Sequence, residues 1–197
     1  MAFPRRALLM GLIIFLPVAL AGCNFSLWQK QQGEVKVYVV PQGPAKTALN
    51  NFQKLKIAVL GVSLKQAGSL QTMEFSYGSD PLVVDMVDKG THGTKVQVAQ
   101  NVTGLHAFES ITIRIEVTEA VDSTGRSLPN CHPNEPVTSH PCVSTPSNGA
   151  YRIDGKNFSP TRGGTVAANF PLAVLFDQPT NEYYIQADPA LFSTPEE

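Results

Sequence analysis

The chain has 197 residues, with 15 basic and 16 acidic side chains and a formal net charge of −1. A balance this close to neutral, with no basic block, argues against nucleic-acid binding. The 15 glycines and 15 prolines, together with many Val, Ile and Thr residues, favour an all-β domain with ordered turns over a helical one. Hydrophobic residues make up 43% of the sequence, which is too much for a disordered chain.

The N-terminal segment has the parts of a secretory signal peptide. Two arginines precede an apolar run from Ala7 to Leu20, and no acidic residue comes before Cys23. The run is about 14 residues long, short of the roughly 20 that cross a bilayer, and Pro17 interrupts it. We therefore expect residues 1–22 to be a cleaved signal peptide, with a retained transmembrane helix as the alternative.

The end of this segment, Leu20-Ala21-Gly22-Cys23, resembles the lipobox of bacterial lipoproteins. The resemblance implies thioether lipidation of Cys23, cleavage before it and acylation of the new amino terminus. Stable attachment to a bilayer takes two or more acyl chains, a requirement that this modification meets. Asn24 stands where an aspartate would retain such a protein at the inner membrane. We therefore expect a lipid-anchored protein of the cell envelope, at the outer membrane.

Beyond Cys23 the chain is long enough for one domain with its own core. Residues 23–33 are mostly polar and are expected to form a lipidated tether. The domain is expected over residues 34–192, followed by a flexible tail over residues 193–197.

Alternation of apolar and polar residues predicts about eight strands in this domain. The first contains Val35, Val37 and Val39, and a polar connection with room for one helical turn follows it. In the second, Phe52 to Lys65, the alternation changes phase after Val59, which predicts a β-bulge or a crossing between sheets. The remaining strands are expected at Met73–Tyr77, Leu82–Val87, Val96–Val102, Glu109–Glu119, Ala150–Asp154, Thr165–Phe176 and Glu182–Ala187.

Short strands separated by turn signals, without a long helical pattern, are typical of an all-β fold. We expect a single antiparallel β-sandwich, Ig-like or transthyretin-like, with a long disulfide-stapled loop. A closed barrel is the structural alternative.

The order of these segments is similar to that of an uncharacterised family of bacterial lipoproteins built on one β-sandwich. The similarity lies in Gly33-Glu34-Val35-Lys36-Val37, in Phe52 to Val62, in Val83 to Val87 and in the closing Ala167 to Ile185 hairpin. Where the family tends to carry an Asp-Ala-Pro turn, this chain has Pro41-Gln42-Gly43-Pro44. The resemblance implies a sandwich fold and supplies no activity.

Cys131 and Cys142 are the cysteines left after lipidation, and they flank a proline-rich loop. In an exported protein, two cysteines this close usually form a disulfide. Closing such a loop contributes about 2–3 kcal/mol in the chain-entropy model. The surrounding segment, Asp122 to Ala150, has no periodicity of its own, and loops this long are usually functional or disordered. A disulfide indicates that this loop is kept in shape.

The same loop carries two histidines, which opens a second interpretation. Two thiolates and two imidazoles could bind zinc, and thiolates also suit Cu(I). The spacing lacks a Cys-x-x-Cys or His-x-x-x-His pair, and an oxidising compartment consumes thiols. The metal alternative uses Cys131, His132, His140 and Cys142.

No motif predicts an enzyme or a cofactor. The chain has no Gly-x-Ser-x-Gly nucleophile elbow, and the glycine-rich Gly90-Thr91-His92-Gly93-Thr94 lacks the lysine and the helix of a phosphate loop. The expected function is that of a non-catalytic envelope lipoprotein whose sandwich presents loops to a protein or glycan partner. The alternative is a periplasmic metal-binding protein.

Overall fold

The computed structural model describes residues 32–43, 45, 47–131, 141–146 and 148–196. The predicted signal peptide, the lipidation site Cys23 and nearly all of the tether lie outside these residues, as do His132 and His140. Over the described residues the strands form two sheets that pack face to face. The predicted all-β sandwich is confirmed.

Ten strands and two short helical segments make up the described part of the chain. The α-helix α1 spans Met86–Thr91, and a 3₁₀ helix spans Ala48–Asn51. The strands are β1 (Gln32–Pro41), β2 (Phe52–Gln66), β3 (Thr72–Ser76), β4 (Leu82–Asp85), β5 (Val96–Gly104), β6 (Phe108–Asp122), β7 (Cys142–Ser144), β8 (Ala150–Phe158), β9 (Thr165–Asp177) and β10 (Glu182–Ala187). None of the helices in the described ranges is long and apolar enough to cross a membrane.

The first sheet has the strand order β5-β1-β9-β10-β7. In this sheet β1 runs parallel to β9 and β7 runs parallel to β10, which departs from the antiparallel arrangement that the sequence predicts. Apolar alternation decides which face of a strand is buried and carries no information about its direction. The two parallel pairs could not be read from the sequence for that reason.

The second sheet has the order β3-β2-β6-β8, with β4 beside β3 on the same edge of β2. The long β2–β6 ladder shifts register between Lys56 and Ile57 and again between Val59 and Gly61. These irregularities lie where the alternation changes phase, so the predicted β-bulge is confirmed. A Cβ atom at Gly61 would lie 2.8 Å from the carbonyl oxygen of Phe75, which explains the glycine at this close approach.

The core lies between the two sheets and is filled by alternate residues of their strands. Val35, Val37 and Val39 of β1 are buried against the second sheet, as the period-2 pattern predicts. The outward-facing residues between them are half-buried. Phe108 and Phe170 are the largest fully buried side chains, one from each sheet.

A helix cap ends β4 earlier than the sequence predicts. The Asp85 carboxylate accepts hydrogen bonds from the backbone amides of Val87 and Asp88, both at 3.1 Å, and so caps α1. Met86 and Val87, predicted to extend the strand, belong to the helix instead. The predicted helical turn before β2 is the 3₁₀ helix, which the side chain of Thr47 caps.

The C-terminal segment is paired along β9. The amide of Asn169 donates to the carbonyl of Ser193, and the amide of Ala167 to that of Pro195, each at 2.9 Å. β10 covers β9 from Leu172 onward, so residues 193–196 occupy the edge that β10 leaves open. Residues predicted as a tail are therefore part of the sandwich.

Candidate functional site at the disulfide-closed loop

Cys131 and Cys142 form a disulfide, as the sequence predicts, with their Cα atoms 5.1 Å apart. The intervening residues 132–140 lie outside the described part of the chain. The structure does describe both ends of this loop, residues 129–131 and strand β7, which together we call the loop base. Both cysteines are half-buried there.

The loop base is a small extension of the first sheet. The amide of Cys131 donates to the carbonyl of Val143, and the amide of Val143 donates to the carbonyl of Pro129, both at 2.9 Å. On its other side β7 pairs with β10. The disulfide therefore joins two neighbouring segments at the sheet edge, where it closes the loop without bridging a gap.

The chain that leads into the loop base first contacts the second sheet. The amide of Leu128 donates to the carbonyl of Ala120 at 2.9 Å, and Ser127 forms a β-bridge with Val121. Leu128 is also buried in the core. Residues 127–131 thus cross from one sheet to the other, so that the loop base is held by both.

An aspartate fixes the turn from which this crossing segment starts. One carboxylate oxygen of Asp122 accepts from the hydroxyl of Thr124 at 2.6 Å and from the amides of Thr124 and Arg126, each at 2.9 Å. The other oxygen accepts from the Arg126 guanidinium. These donors, the Thr124 hydroxyl foremost, lower the pKa of Asp122 to about 2. Its carboxylate is therefore fully occupied in holding the turn.

Three aromatic rings lie beneath the loop base. Tyr183, which pairs with Val143 of β7, has its ring centroid 4.7 Å from that of Phe52 and 4.7 Å from that of Phe176. Phe52 belongs to the second sheet, whereas Phe176 and Tyr183 belong to the first. Aromatic pairs of this geometry add stability beyond their buried area, so the contact holds the sheets together at this end.

A small open cavity of about 180 Å³ lies beside the loop base, lined by residues 117–120, Ser127, Leu128 and Asn130. The carboxylate in its lining, Glu119, lies 2.6 Å from the Lys56 ammonium and 3.4 Å from that of Lys54. The hydrogen bond from Lys56 lowers the pKa of Glu119. Pockets for whole small molecules span about 300–1,000 Å³, so this one suits a single side chain or part of a sugar.

The metal interpretation gains little from the described residues. The sulfur atoms of Cys131 and Cys142 and a carboxylate oxygen of Glu182 lie within 4.8 Å of one another. The two sulfurs are joined in the disulfide, however, and metal ligation needs free thiolates. His132 and His140 lie outside the described part of the chain, so the structure does not bring the predicted ligand set together.

The loop base and the start of β1 lie at opposite ends of the first sheet. Glu34 pairs with Thr165, the first residue of β9. Glu182 pairs with Asp177, the last residue of β9, and also with Cys142. A strand of this length spans about 40 Å. The chain therefore enters the domain at one end, and the disulfide closes its loop at the other.

Sequence reasoning missed the contacts that hold the loop base in place. The run Asp122-Ser123-Thr124-Gly125-Arg126 has the signal of an Asx turn with a glycine of positive φ, and Gly125 has φ +87°. That pattern could have been found. In residues 127–131, which cross between the sheets, the buried apolar residue is Leu128. A single buried residue is too few to show a periodic pattern.

No protein-family model, no curated protein and no solved structure matches the chain. The family resemblance of the strand order stays a prediction.

Proposed function

We propose that the protein is a lipoprotein of the bacterial cell envelope, anchored through acyl chains on Cys23, that binds a protein or glycan partner through its disulfide-closed loop and catalyses no reaction. The lipobox Leu20-Ala21-Gly22-Cys23 supports the anchor, and Asn24 favours the outer membrane. Cys131 and Cys142 are joined in a disulfide, and the Asp122 carboxylate holds a turn. These structural roles support binding over catalysis.

The distance between the anchor side and the loop base carries this proposal. The chain enters at Gln32, and Cys142 lies at the other end of β9, about 40 Å away along the strand. A bilayer holding Cys23 would therefore face the opposite end of the sandwich from the loop. Such an orientation leaves the loop accessible to a large partner, and the anchor concentrates it at the membrane.

The support of the loop base is a second argument. The crossing segment pairs with both sheets, and the disulfide joins the loop's two ends. A loop whose two ends are fixed before binding loses less conformational entropy when its partner arrives. Loops on a rigid scaffold are common sites of recognition.

Two measurements test the proposal in cells that express the full chain. The intact mass of the mature protein from the envelope fraction reports the lipid on Cys23. A photo-crosslinking residue at Asn130, which is exposed in the loop base, reports the partner. The matched control is the same residue at Ser79, which is also exposed but lies in the β3–β4 turn.

We expect a lipidated mass and a crosslinked protein or peptidoglycan fragment from position 130 that position 79 does not give. The variant Cys131→Ser/Cys142→Ser should weaken that crosslink. An unmodified Cys23 would refute the anchor. Equal crosslinking at both positions, or none at position 130, would refute binding through the loop.

A further inference from the structure

Two turns lie side by side at the end of the sandwich where the chain enters. They are the β2–β3 turn, residues 67–71, and the β5–β6 turn, residues 105–107. The amide of Ala67 donates to the carbonyl of Ala107 at 2.8 Å, so the turns are directly bonded. Each carries an exposed leucine: Leu70 is 96% exposed and Leu105 is 41% exposed.

Hydrogen bonds hold Leu70 in its outward position. The amide of Gln66 donates to the carbonyl of Gln71 at 3.0 Å, which closes the turn. The amide of Gln71 donates to the Ser69 hydroxyl at 3.0 Å. The Glu109 carboxylate accepts from the amide of Gly68 at 3.4 Å and from Lys65. The leucine thus stands at the tip of a turn whose backbone is bonded on both sides.

The register places Leu105 next to the entry point of the chain. Gln32, the first residue of β1, pairs with Gly104 of β5, and Leu105 follows directly. The roughly eight residues between Cys23 and Gln32 reach at most about 30 Å when extended. If Cys23 is held in a bilayer, both leucine turns lie within that reach of its surface.

We propose, on the basis of the lipid anchor proposed above, that Leu70 and Leu105 insert into the surface of the bilayer that holds Cys23. The occupant is lipid rather than another protein because a stable protein interface buries at least about 1,000 Å², far more than two leucines provide. Lipid needs no such area here, since the anchor keeps the turns at high local concentration. The contact would hold the end of the sandwich where the chain enters against the membrane, with the loop base directed away from it.

Tryptophan quenching in vesicles tests this contact on the full-length, lipidated protein. The native Trp28 is replaced by Phe, and an indole is introduced by Leu70→Trp or by Leu105→Trp. The matched control is Val83→Trp, because Val83 is 51% exposed and pairs with Ala58 in the middle of β2. The vesicles contain phosphatidylethanolamine and phosphatidylglycerol with lipids brominated near the head group.

We expect bromine to quench the indoles at positions 70 and 105 more strongly than the one at position 83. Adding Leu70→Ser to the Leu105→Trp variant should lower the equilibrium constant for insertion of the turns into the bilayer about tenfold, as measured by the quenching at position 105. This is the effect of removing one leucine from an apolar environment. The intact mass of each protein is measured first. Equal quenching at all three positions in a protein that carries its lipid would overturn the leucine contact and leave the anchor standing. A protein without lipid on Cys23 would overturn the anchor and this contact with it.

Discussion

Phe52 and Tyr183 meet edge to face across the two sheets, with their ring centroids 4.7 Å apart and their planes at 65°. Phe52 begins β2, and Tyr183 sits in β10 beside Val143 of the loop base. This contact therefore couples the packing of the sandwich to the position of the loop base.

Replacing Phe52 by Ala should lower the free energy of unfolding by about 3–5 kcal/mol, because a buried aromatic side chain is removed and a cavity remains. A double-mutant cycle with Tyr183→Ala, followed by urea denaturation, isolates the ring contact. We expect a coupling energy of about 0.5–1.5 kcal/mol. A coupling near zero would contradict a direct contact.

Removing the disulfide with Cys131→Ser/Cys142→Ser should lower the free energy of unfolding by about 2–3 kcal/mol, since the unfolded chain gains freedom. This corresponds to a decrease in Tm of roughly 5–10 °C. Thermal denaturation with and without a reductant measures it. The reductant should lower Tm in the wild type and leave the double variant unchanged. A wild-type Tm that ignores reduction would contradict a stabilising disulfide.

The Asp122 turn should make stability depend on acid. The folded state lowers the pKa of Asp122 from 3.8 to about 2, chiefly through the Thr124 hydroxyl. A depressed pKa contributes stability that is present above about pH 4 and is lost as the pH falls toward about 2. Denaturation curves over this range should therefore show a smaller loss for Asp122→Asn than for the wild type. The control Asp80→Asn, in the exposed β3–β4 turn, should behave like the wild type.

Two glycines with similar backbone conformations should differ in their response to alanine. Gly149 (φ +63°) and Gly155 (φ +71°) both have positive φ. A Cβ atom at Gly149 would lie 2.3 Å from the carbonyl oxygen of Ile115, whereas a Cβ atom at Gly155 would have no neighbouring atom within 4 Å. Gly155→Ala should cost about 1–2 kcal/mol from backbone strain alone. Gly149→Ala should cost more, because the backbone must also move. Chemical denaturation of both variants decides this, and equal losses would contradict the close approach.

Metal removal separates the two interpretations of the loop. With both sulfurs in a disulfide, we expect EDTA to leave Tm unchanged while a reductant lowers it. Calorimetric scans of the protein purified without added metal or chelator, together with its metal content, provide the measurement. Bound zinc or copper in stoichiometric amount, with a Tm that falls on chelation, would favour the metal-binding alternative.

The sequence predicted those parts of the fold that depend on local alternation. Ile111, Ile113 and Ile115 are buried as the period of two requires, and the phase change in β2 marks a real irregularity. β7 was not predicted because three residues are too few to show an alternation. The parallel direction of the β1–β9 pair was not predicted because strand direction does not change the composition of a strand.

For the site, the cysteine pairing followed from the expected compartment and the close spacing. The contacts that position the loop base were harder to predict, because they join residues far apart in the chain. Phe52 and Tyr183 are both aromatic residues of ordinary strands, and nothing local distinguishes them from other core residues. The Asp122 turn has a local signal in its Asp and Gly, which marks a turn and matches no functional motif.

The pairing of β1 with β9 has a consequence for the order of folding. The hydroxyl of Thr165 donates to the carboxylate of Glu34 at 2.9 Å, although the two residues are 131 positions apart in the chain. β1 is synthesised long before β9 and cannot pair with it until β9 has been made. Pairing between segments so far apart in the chain slows folding. The edge of β1 that pairs with β9 therefore stays open until β9 has been made. Variants that weaken β9 should therefore leave a long-lived intermediate that is prone to aggregation and proteolysis.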